Sequence, residues 1–486
     1  MASITSVGLG SGLDANSIVD KLVAVEHIPV DNLQTLANKI QTKVSSYGKL
    51  QSAVSGLRDA ASKLTNPDTW NATASTSSDP AAVSVTTDAT ASAGAYSVAV
   101  QTLAASQSVV SPTYSSAGSV IGIGTLHIEL GNWNGSQTAF SSNPNWPKAD
   151  ITIGPNDNSL EKVRDKINAS GAGVVASVVT DATGSRLVLR STSTGSDNGF
   201  RVTADDADGN NNDASGLSAL TYDPASADPA NPATTMTLNQ AATNAQVKIN
   251  GLDLTSSTNT FSGAVQGMTF KVGKVTTTNP VDLSVTQDTD AMKKAVTDFA
   301  TAYTALNTFI KDQTKYDPTS KTSAPLQGDS TVNSILAGAR SLLSQTSGAS
   351  SKYSRLSDIG LSIDATGALT ANATKLTAAL SSNQAEVKKL FANLDSASPS
   401  NEGFGQRYKN FADRLLNSDG SITTVTEGLQ KRIDSNSKQQ QAMEQRIAAY
   451  KTRLLAQYNA LDTTMAQLNG TSNYVTQQLA TMSRGY

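Results

Sequence analysis

Residues 33–65 read LQTLANKIQTKVSSYGKLQSAVSGLRDAASKLT. Their apolar side chains recur at intervals of three and four residues, and only Lys43 misses the pattern. The stripe consists of Leu33, Leu36, Ile40, Tyr47, Leu50, Val54, Leu57, Ala61 and Leu64. A stripe sustained over more than four heptads is typical of a coiled-coil-like helix, about 50 Å long at roughly 1.5 Å per residue. We expect Thr65-Asn66-Pro67 to end it.

A shorter amphipathic helix is predicted before this stretch. Ser17 and Asp20 have the spacing of a capping pair, and Ile18, Leu22 and Val25 supply the apolar face. Pro29 is expected to end or kink this helix because proline lacks a backbone N–H. Residues 1–13 are small, glycine-punctuated and without periodicity, which predicts disorder in isolation.

The C-terminal end repeats the pattern of the N-terminal end. Its stripe consists of Leu429, Ile433, Met443, Ile447, Tyr450, Leu454, Tyr458, Leu461, Met465 and Leu468. Asn469-Gly470 predicts a helix C-cap, with one more helical segment from Tyr474 to Met482. Heptads alone leave two arrangements open, because the terminal helices can pair within one chain or with those of neighbouring subunits.

Between Thr69 and Thr286 the sequence becomes rich in Ser, Thr, Gly and Asp, with short runs of period two. These runs predict strands around Val83–Val85, Tyr96–Val100, Val174–Val179, Arg186–Leu189, Val247–Ile249, Met268–Val272 and Val281–Val285. The turn residues Asp181–Gly184 predict a hairpin, one helix is expected over Ser159–Ala169, and Pro224–Pro232 suits a linker. The segment is therefore predicted to be a β-rich insert of two subdomains.

Helical patterns return after Thr286. They cover Met292–Gln313, Val332–Leu343, Ala373–Leu380, Gln384–Phe391 and Phe404–Leu416, with a short strand pair at Leu361–Ile363 and Leu369. The predicted fold class is α+β multidomain: paired N- and C-terminal coiled-coil-like helices form a stem that carries an inserted pair of β-rich head domains. The expected divisions are a terminal leg (1–35 plus 440–486), a stem (36–70 plus 287–439), a first head domain (71–106 plus 237–286) and a second (107–236).

Composition excludes several classes of function. The 486 residues carry 37 basic and 40 acidic side chains, and a net charge of −3 disfavours nucleic acid as a partner. The absence of cysteine excludes disulfides, thiolate zinc sites and cysteine nucleophiles. His27 and His127 alone are too few for a histidine-rich metal site. Because no stretch approaches the 18 or so apolar residues of a membrane span and no Lys or Arg precedes Lys21, neither a span nor a cleavable secretory signal is expected.

Candidate catalytic and ligand sites are weak. The glycines at 8, 10 and 12 lack the third glycine of a dinucleotide-binding loop. The alternating acids and amides from Asp206 to Asn212 have calcium-like spacing, but Asn211 and Leu217 stand where an EF-hand loop needs Gly and Glu. Three tryptophans are either binding anchors or, more commonly, packing residues: Trp70, Trp133 and Trp146. No cofactor, metal or enzymatic activity is predicted.

Several separated motifs then carry a family resemblance. They are Gly10–Asp14 with Ile18–Val23, the "IN" segment Lys166–Ser177, Pro325–Thr331, Leu356–Leu361, Tyr458–Asp462 and Tyr474–Leu479. In this order they resemble the flagellar hook-associated filament cap proteins of bacteria over nearly the whole chain. The "IN" segment is shared with proteins of the hook–filament junction, so by itself it does not distinguish these families.

The resemblance implies a secreted structural protein at the distal tip of the flagellum. It implies a homo-oligomeric ring that retains exported flagellin and promotes its folding and insertion. A pentamer is the first expectation for this ring, with a tetramer or a hexamer as alternatives. The other implied partners are the hook–filament junction protein, the flagellar type III export apparatus and an export chaperone. A surface adhesin and a hook–filament junction protein remain the alternative functions.

The heptad faces supply the predicted contacts with other subunits or with flagellin. The interface residues chosen from these faces are Ile18, Leu22, Val25, Leu33, Ile40, Leu454, Leu461, Met465 and Leu468. Because the helical surface around them is weakly charged and rich in Ala, Gln and Thr, we hypothesise that it rearranges between neighbouring sites as flagellin is added.

Overall fold

The computed structural model describes residues 14–211, 213–226 and 234–482. It divides into two compact units, one joining the residues up to Trp70 to those from Thr289 onward, the other comprising Asn71–Asp288. The helices are α1 (Ala15–Thr65), α2 (Pro67–Trp70), α3 (Leu160–Ala169), α4 (Thr289–Thr314), α5 (Ser330–Ser344), α6 (Ala373–Ala392), α7 (Phe404–Leu416) and α8 (Ser421–Met482).

The strands of the insert are β1 (Thr73–Ser77), β2 (Val83–Thr87), β3 (Gly94–Thr102), β4 (Ser108–Val110), β5 (Gly124–Trp133), β6 (Phe140–Ser142), β7 (Ala149–Ile153), β8 (Val174–Asp181), β9 (Gly184–Ser191), β10 (Gly199–Asp206), β11 (Thr237–Gln240), β12 (Ala245–Ile249), β13 (Leu252–Ser256), β14 (Thr260–Val265), β15 (Met268–Val272) and β16 (Val281–Gln287). The helical unit adds two short hairpins, β17 (Tyr316–Asp317) with β18 (Thr322–Ser323) and β19 (Leu361–Ile363) with β20 (Leu369–Ala371).

Helix α1 runs for 51 residues through Pro29, so the predicted helix end at this proline is wrong. The missing N–H removes one hydrogen bond, but Val23 and Val30, on either side of the proline, are both buried, so packing favours helix on both sides of it. The predicted cap is also displaced. Asp14, rather than Ser17, is the N-cap, and its carboxylate accepts a hydrogen bond from the Ser17 backbone N–H at 3.0 Å.

Helix α8 continues through Asn469-Gly470 to Met482, so the predicted C-cap is wrong. Glycine in a helix interior costs only about 1 kcal/mol relative to alanine and does not by itself end a helix. In α6 the two helices predicted from sequence form one element, with non-helical backbone angles at Asn383 marking the expected junction. Helices α4, α5 and α7 cover the segments predicted for them.

The helical unit is organised around a large core, called here the stem core. It is built from the second half of α1, from α4 to α7 and from the beginning of α8. Trp70 is fully buried, stacks on Phe391 at 6.0 Å between ring centroids, and donates from Nε1 to the Leu64 carbonyl at 2.8 Å. For this tryptophan, packing is therefore the correct interpretation. Phe299 and Tyr408 continue the aromatic layer edge-to-face at 5.1 Å.

The described residues of the β-rich unit form two apolar cores. The first lies with the sheet β1-β16-β3-β12-β13 and the three strands β14-β15-β2. The second lies with β10-β5-β6, where β7 also pairs with β5, and with β11-β4-β9-β8, and α3 packs into it through Leu160, Val163 and Ile167. All seven strands and the helix predicted for the insert are present, and Ser159 caps α3 as its N-cap residue. Strands β7 and β10 were not predicted as strands.

A carboxylate ties the loop before β19 to helix α6. Glu386 accepts hydrogen bonds from the Ser350 hydroxyl (2.8 Å) and the Ser351 backbone N–H (2.7 Å), and Lys389 Nζ lies 2.8 Å from its other oxygen. The Lys389 ammonium and these donors favour the ionised form, and they lower the pKa of Glu386 from its usual 4.5 to about 2.

This lowered pKa predicts a pH-dependent contribution to stability. The contribution is fully present above pH 4.5, the unfolded-state value, and is lost as the pH falls towards 2. We therefore expect Glu386→Gln to lower the melting temperature at pH 7 and to lose less stability than the parent between pH 5 and about 2. Thermal unfolding at several pH values measures both effects, with the exposed Glu427→Gln as control. If the parent and Glu386→Gln lose equal stability over this pH range, the Glu386 carboxylate does not make the predicted contribution.

Candidate interaction surface on the paired terminal helices

The first part of α1 and the second part of α8 lie side by side and run antiparallel. As residue numbers rise along α1, those of the partners on α8 fall. The three polar contacts that show this are Asp20–Lys451 at 2.8 Å, His27–Glu444 at 3.6 Å and the Leu33 carbonyl with the Asn436 amide at 3.1 Å. The described heptads at this end of the unit are therefore paired within one chain.

A small apolar core lies between these two segments, which we call the leg pair (15–33 of α1 with 436–458 of α8). Its buried members are Val19, Val23, Val30 and Ile447. The partly buried residues packed against them are Met443, Tyr450, Leu454, Leu455 and Tyr458. Because this core is separate from the stem core and far smaller, the leg pair depends on few buried side chains.

Helix α8 extends beyond the leg pair. Ala15 is the first residue of α1, and residues 459–482 of α8 continue past it for about 36 Å at 1.5 Å per residue. Along this extension the apolar residues keep the three- and four-residue spacing, except that the polar Ser472 stands where one member is expected. We call this set, Leu461, Met465, Leu468, Val475 and Leu479, the C-terminal stripe. Met465 is partly buried, and the other four members are 47–61% exposed.

The extension is almost uncharged. Asp462 is the only Asp, Glu, Lys, Arg or His between residues 459 and 482. Thr, Asn, Ser and Gly470 are weak helix formers, so packing is needed to hold such a segment helical in water. An exposed apolar stripe on a weak helix is typical of a surface that acquires a partner.

Helix α1 presents a second exposed apolar surface. Leu22, Val25, Ile28 and Leu36 are all exposed there. An open groove of about 580 Å³ lies beside Pro29, with Leu33, Leu36 and Met443 among its lining residues.

The structure separates the predicted interface residues into three groups. Leu22, Val25, Leu461 and Leu468 are exposed. Ile18, Leu33, Leu454 and Met465 are partly buried. Ile40 belongs to the stem core and is 4% exposed, so its side chain is not accessible to another subunit. Its position in a heptad does not reveal this, because the same spacing serves internal and external contacts.

Four exposed apolar residues of these surfaces were not selected from the sequence. They are Ile28, Leu36, Val475 and Leu479. The last two lie on the continuation of the stripe at its own period, and the expected helix end at Asn469-Gly470 concealed them.

The acidic segment around Asp206 and the histidine His127, considered as candidate sites in the sequence, make hydrogen bonds within the protein. The Asp206 carboxylate accepts from the Ser218 backbone N–H at 3.0 Å. His127 lies between Asp150 (2.6 Å) and Asp205 (3.0 Å), and its hydrogen bond lowers the pKa of Asp150. Within residues 14–211, 213–226 and 234–482, no cluster of three His, Asp or Glu side chains is arranged to hold a metal ion. The glycines at 8, 10 and 12, Asn212 and part of the 224–232 linker fall outside the described residues.

Over the described part of the chain, no helix combines the length and the apolar character needed to cross a bilayer.

Comparison with known proteins identifies the family. The family model described as flagellar hook-associated protein 2 N-terminus matches residues 11–107, and the corresponding C-terminus model matches residues 242–470. The flagellar hook-associated protein 2 of Escherichia coli (strain K12) is 32% identical to this chain over 489 aligned residues, which cover 98% of each protein. The chain belongs to the flagellar hook-associated protein 2 family. The resemblance seen in the sequence motifs is thereby confirmed.

Other relatives agree with this assignment. The B-type flagellar hook-associated protein 2 of Pseudomonas aeruginosa is 28% identical over 100% of this chain and 99% of its own length. The crystal structure of the D1-D2-D3 domains of the flagellar cap protein FliD from Escherichia coli matches with a TM-score of 0.60 and 30% identity, covering 79% of this chain and 99% of that chain. The predicted α+β class, with long terminal helices and a β-rich middle, is confirmed. The flagellin hook IN motif model matches residues 150–193, around the predicted "IN" segment.

The small core of the leg pair predicts that it opens independently of the stem core. Ile447→Ala removes a buried side chain, and such changes cost about 2–5 kcal/mol where the site cannot collapse. We expect faster amide hydrogen exchange in residues 15–30 and 443–458, with unchanged protection around Leu50 to Leu64 in the stem core. The exposed Leu461→Ala serves as control and leaves both regions unchanged. Equal acceleration in the leg pair and the stem core would contradict independent opening.

Proposed function

We propose that this protein caps the distal end of the flagellar filament as a structural assembly factor. In this role it retains exported flagellin and promotes the folding and insertion of each new subunit. The observation that carries the proposal is the C-terminal stripe: an apolar, nearly uncharged helix face, without a partner among the described residues, in a member of this family. The similarity to the Escherichia coli protein FliD, which is described as a flagellar cap protein, supports the same role.

The chemistry of the extension suits a partner that changes. Charged residues beside a heptad seam select one partner and one register. Residues 459–482 carry one such charge, Asp462, so apolar contact dominates and several registers have similar free energies. Such a helix gains order when it packs on another helical surface, and it dissociates from that surface at a modest cost in free energy. It can therefore move between successive sites as flagellin is added.

The remaining parts of the proposal concern assembly. Copies of the chain form a ring at the filament tip, with five subunits as the first expectation and four or six as alternatives. The protein reaches the tip by the flagellar export apparatus, aided by an export chaperone, and follows the hook–filament junction protein. Residues 1–35 with 440–486 form the leg, 36–70 with 287–439 the stem, and 71–106 with 237–286 and 107–236 the two head domains. The described residues form four separate apolar cores, which support this division.

The test uses a strain lacking this gene, complemented with variants. Leu461→Asn with Leu468→Asn makes the stripe polar, and we expect monomeric flagellin in the culture medium and short or absent filaments, as in the uncomplemented strain. The matched control, Thr463→Asn with Gln467→Asn, changes the opposite, exposed side of the same turns and restores normal filaments. Full-length filaments without flagellin leakage in the Leu461/Leu468 variant would refute the role of the stripe.

A truncation separates folding from capping. A chain ending at Tyr458 keeps every residue of the stem core and of the leg-pair core. We therefore expect the purified protein to melt within a few degrees of the full chain, while the complemented strain still releases flagellin into the medium. A truncated chain that restores filaments would show that residues 459–486 are dispensable for capping.

A further inference from the structure

Strand β8 lies at the edge of the sheet β11-β4-β9-β8, and among the described residues β9 is its single neighbour in the sheet. Residues 174–179 read VVASVV and contain no charge and no proline. Val175 and Val179 are 51% and 53% exposed on one face of this strand. Long, uncharged edge strands rich in β-branched residues are templates on which a further strand can add, and proteins protect them.

The register shows which backbone groups of β8 point away from the sheet. In an antiparallel pair, alternate residues direct their N–H and C=O groups to the same neighbouring strand. Leu187 of β9 accepts a hydrogen bond from the Ser111 backbone N–H, so its polar groups face away from β8. Its register partner in β8 is Val178. The outward-facing backbone groups of β8 are therefore those of Val174, Ala176, Val178 and Thr180.

The side chain of Asn168 occupies the outward position at Ala176. The Ala176 N–H donates to Asn168 Oδ1 at 2.8 Å, and Asn168 Nδ2 donates to the Ala176 carbonyl at 2.9 Å. The carboxamide thus makes the two hydrogen bonds that a residue of an added strand would make. Ile167 beside it is fully buried and anchors α3 in the core. Gly171 and Gly173, with φ of +68° and +69°, turn the chain from α3 into β8.

We propose that Asn168 is an edge lock that prevents β8 from pairing with β8 of a second copy of this chain. Residues 174–179 are suited to pairing with the same segment of a second copy. An antiparallel arrangement centred on Ala176 brings the outward-facing residues of both β8 strands together and sets Val174 of one copy opposite Val178 of the other. Asn168 blocks the centre of that arrangement. The inference assigns a role to the asparagine of the IN motif and does not depend on the capping function.

Asn168→Ala in the full chain tests the lock, with Asn156→Ala in an exposed loop of the same domain as matched control. In the parent and the control, hydrogen exchange at single-residue resolution is expected to be at least tenfold slower at Ala176 than at Val178 and Thr180. In Asn168→Ala this protection is lost, and sedimentation velocity shows species larger than any the parent forms at the same concentration. Adding Val175→Lys, which places a charge on the exposed face, returns the variant to the parent's sedimentation profile.

Two results would overturn the proposal. One is an Ala176 amide in the parent that exchanges as fast as that of Val178, a measurement that needs no variant. The other is a folded Asn168→Ala protein that sediments like the parent. If circular dichroism shows that Asn168→Ala is unfolded, Asn168→Asp decides: its carboxylate still accepts from the Ala176 N–H, cannot donate to the Ala176 carbonyl as Asn168 Nδ2 does, and adds a charge at the edge. It is expected to sediment like the parent, because the charge opposes strand addition, and species larger than any the parent forms would refute the lock.

Discussion

The antiparallel packing of α1 on α8 is the constraint on which the helical unit depends. Helix α1 contributes to two cores: Val19, Val23 and Val30 pack in the leg pair, and Tyr47, Leu50 and later residues pack in the stem core. Because one continuous helix joins both cores, the residues near the two chain ends are held together although more than 400 positions separate Leu33 from its contact Asn436. The polar contacts of the leg pair are mostly exposed and add little free energy. The few buried aliphatic side chains between the helices therefore determine how firmly the leg pair is closed.

Much of this fold is predictable from sequence because helix and strand periods reflect which face is buried. The predictions failed where a local signal opposed packing. Pro29 and Gly470 are both typical of helix ends, but apolar spacing continues through each of them, and the helix follows the spacing. The full length of strand β5, Gly124–Trp133, was missed for a related reason. It is paired on both edges, by β10 on one side and by β6 and β7 on the other, so sheet contacts that no local pattern reveals select its conformation.

The candidate surface was only partly predictable, because a heptad shows that a face is used and not what covers it. Ile40 and Leu461 occupy equivalent places in their stripes, yet the first is enclosed by the stem core and the second is exposed. Their difference arises from the register of α1 against α8, which is set by the whole set of contacts along both helices. The two hydrogen bonds between the Asn168 carboxamide and the Ala176 backbone could not be predicted from the sequence either. It requires that β8 lie at a sheet edge and that Ala176 face outward, and both follow from sheet order and register rather than from spacing.

The β8 edge and the C-terminal stripe differ in how they limit contacts with other chains. A chain that assembles with others must restrict its contacts to the intended ones. An exposed strand edge offers directional hydrogen bonds that any extended chain can satisfy, so pairing there is strong and poorly selective. In the described structure Asn168 satisfies these groups at the centre of the β8 edge. An exposed helix face has its backbone already bonded internally and offers only apolar contact, which is weaker per residue and reversible. Residues 459–482 keep such a face open. Closing the edge while leaving the helix open therefore favours association that can be undone, which is what repeated addition of subunits at a filament end requires.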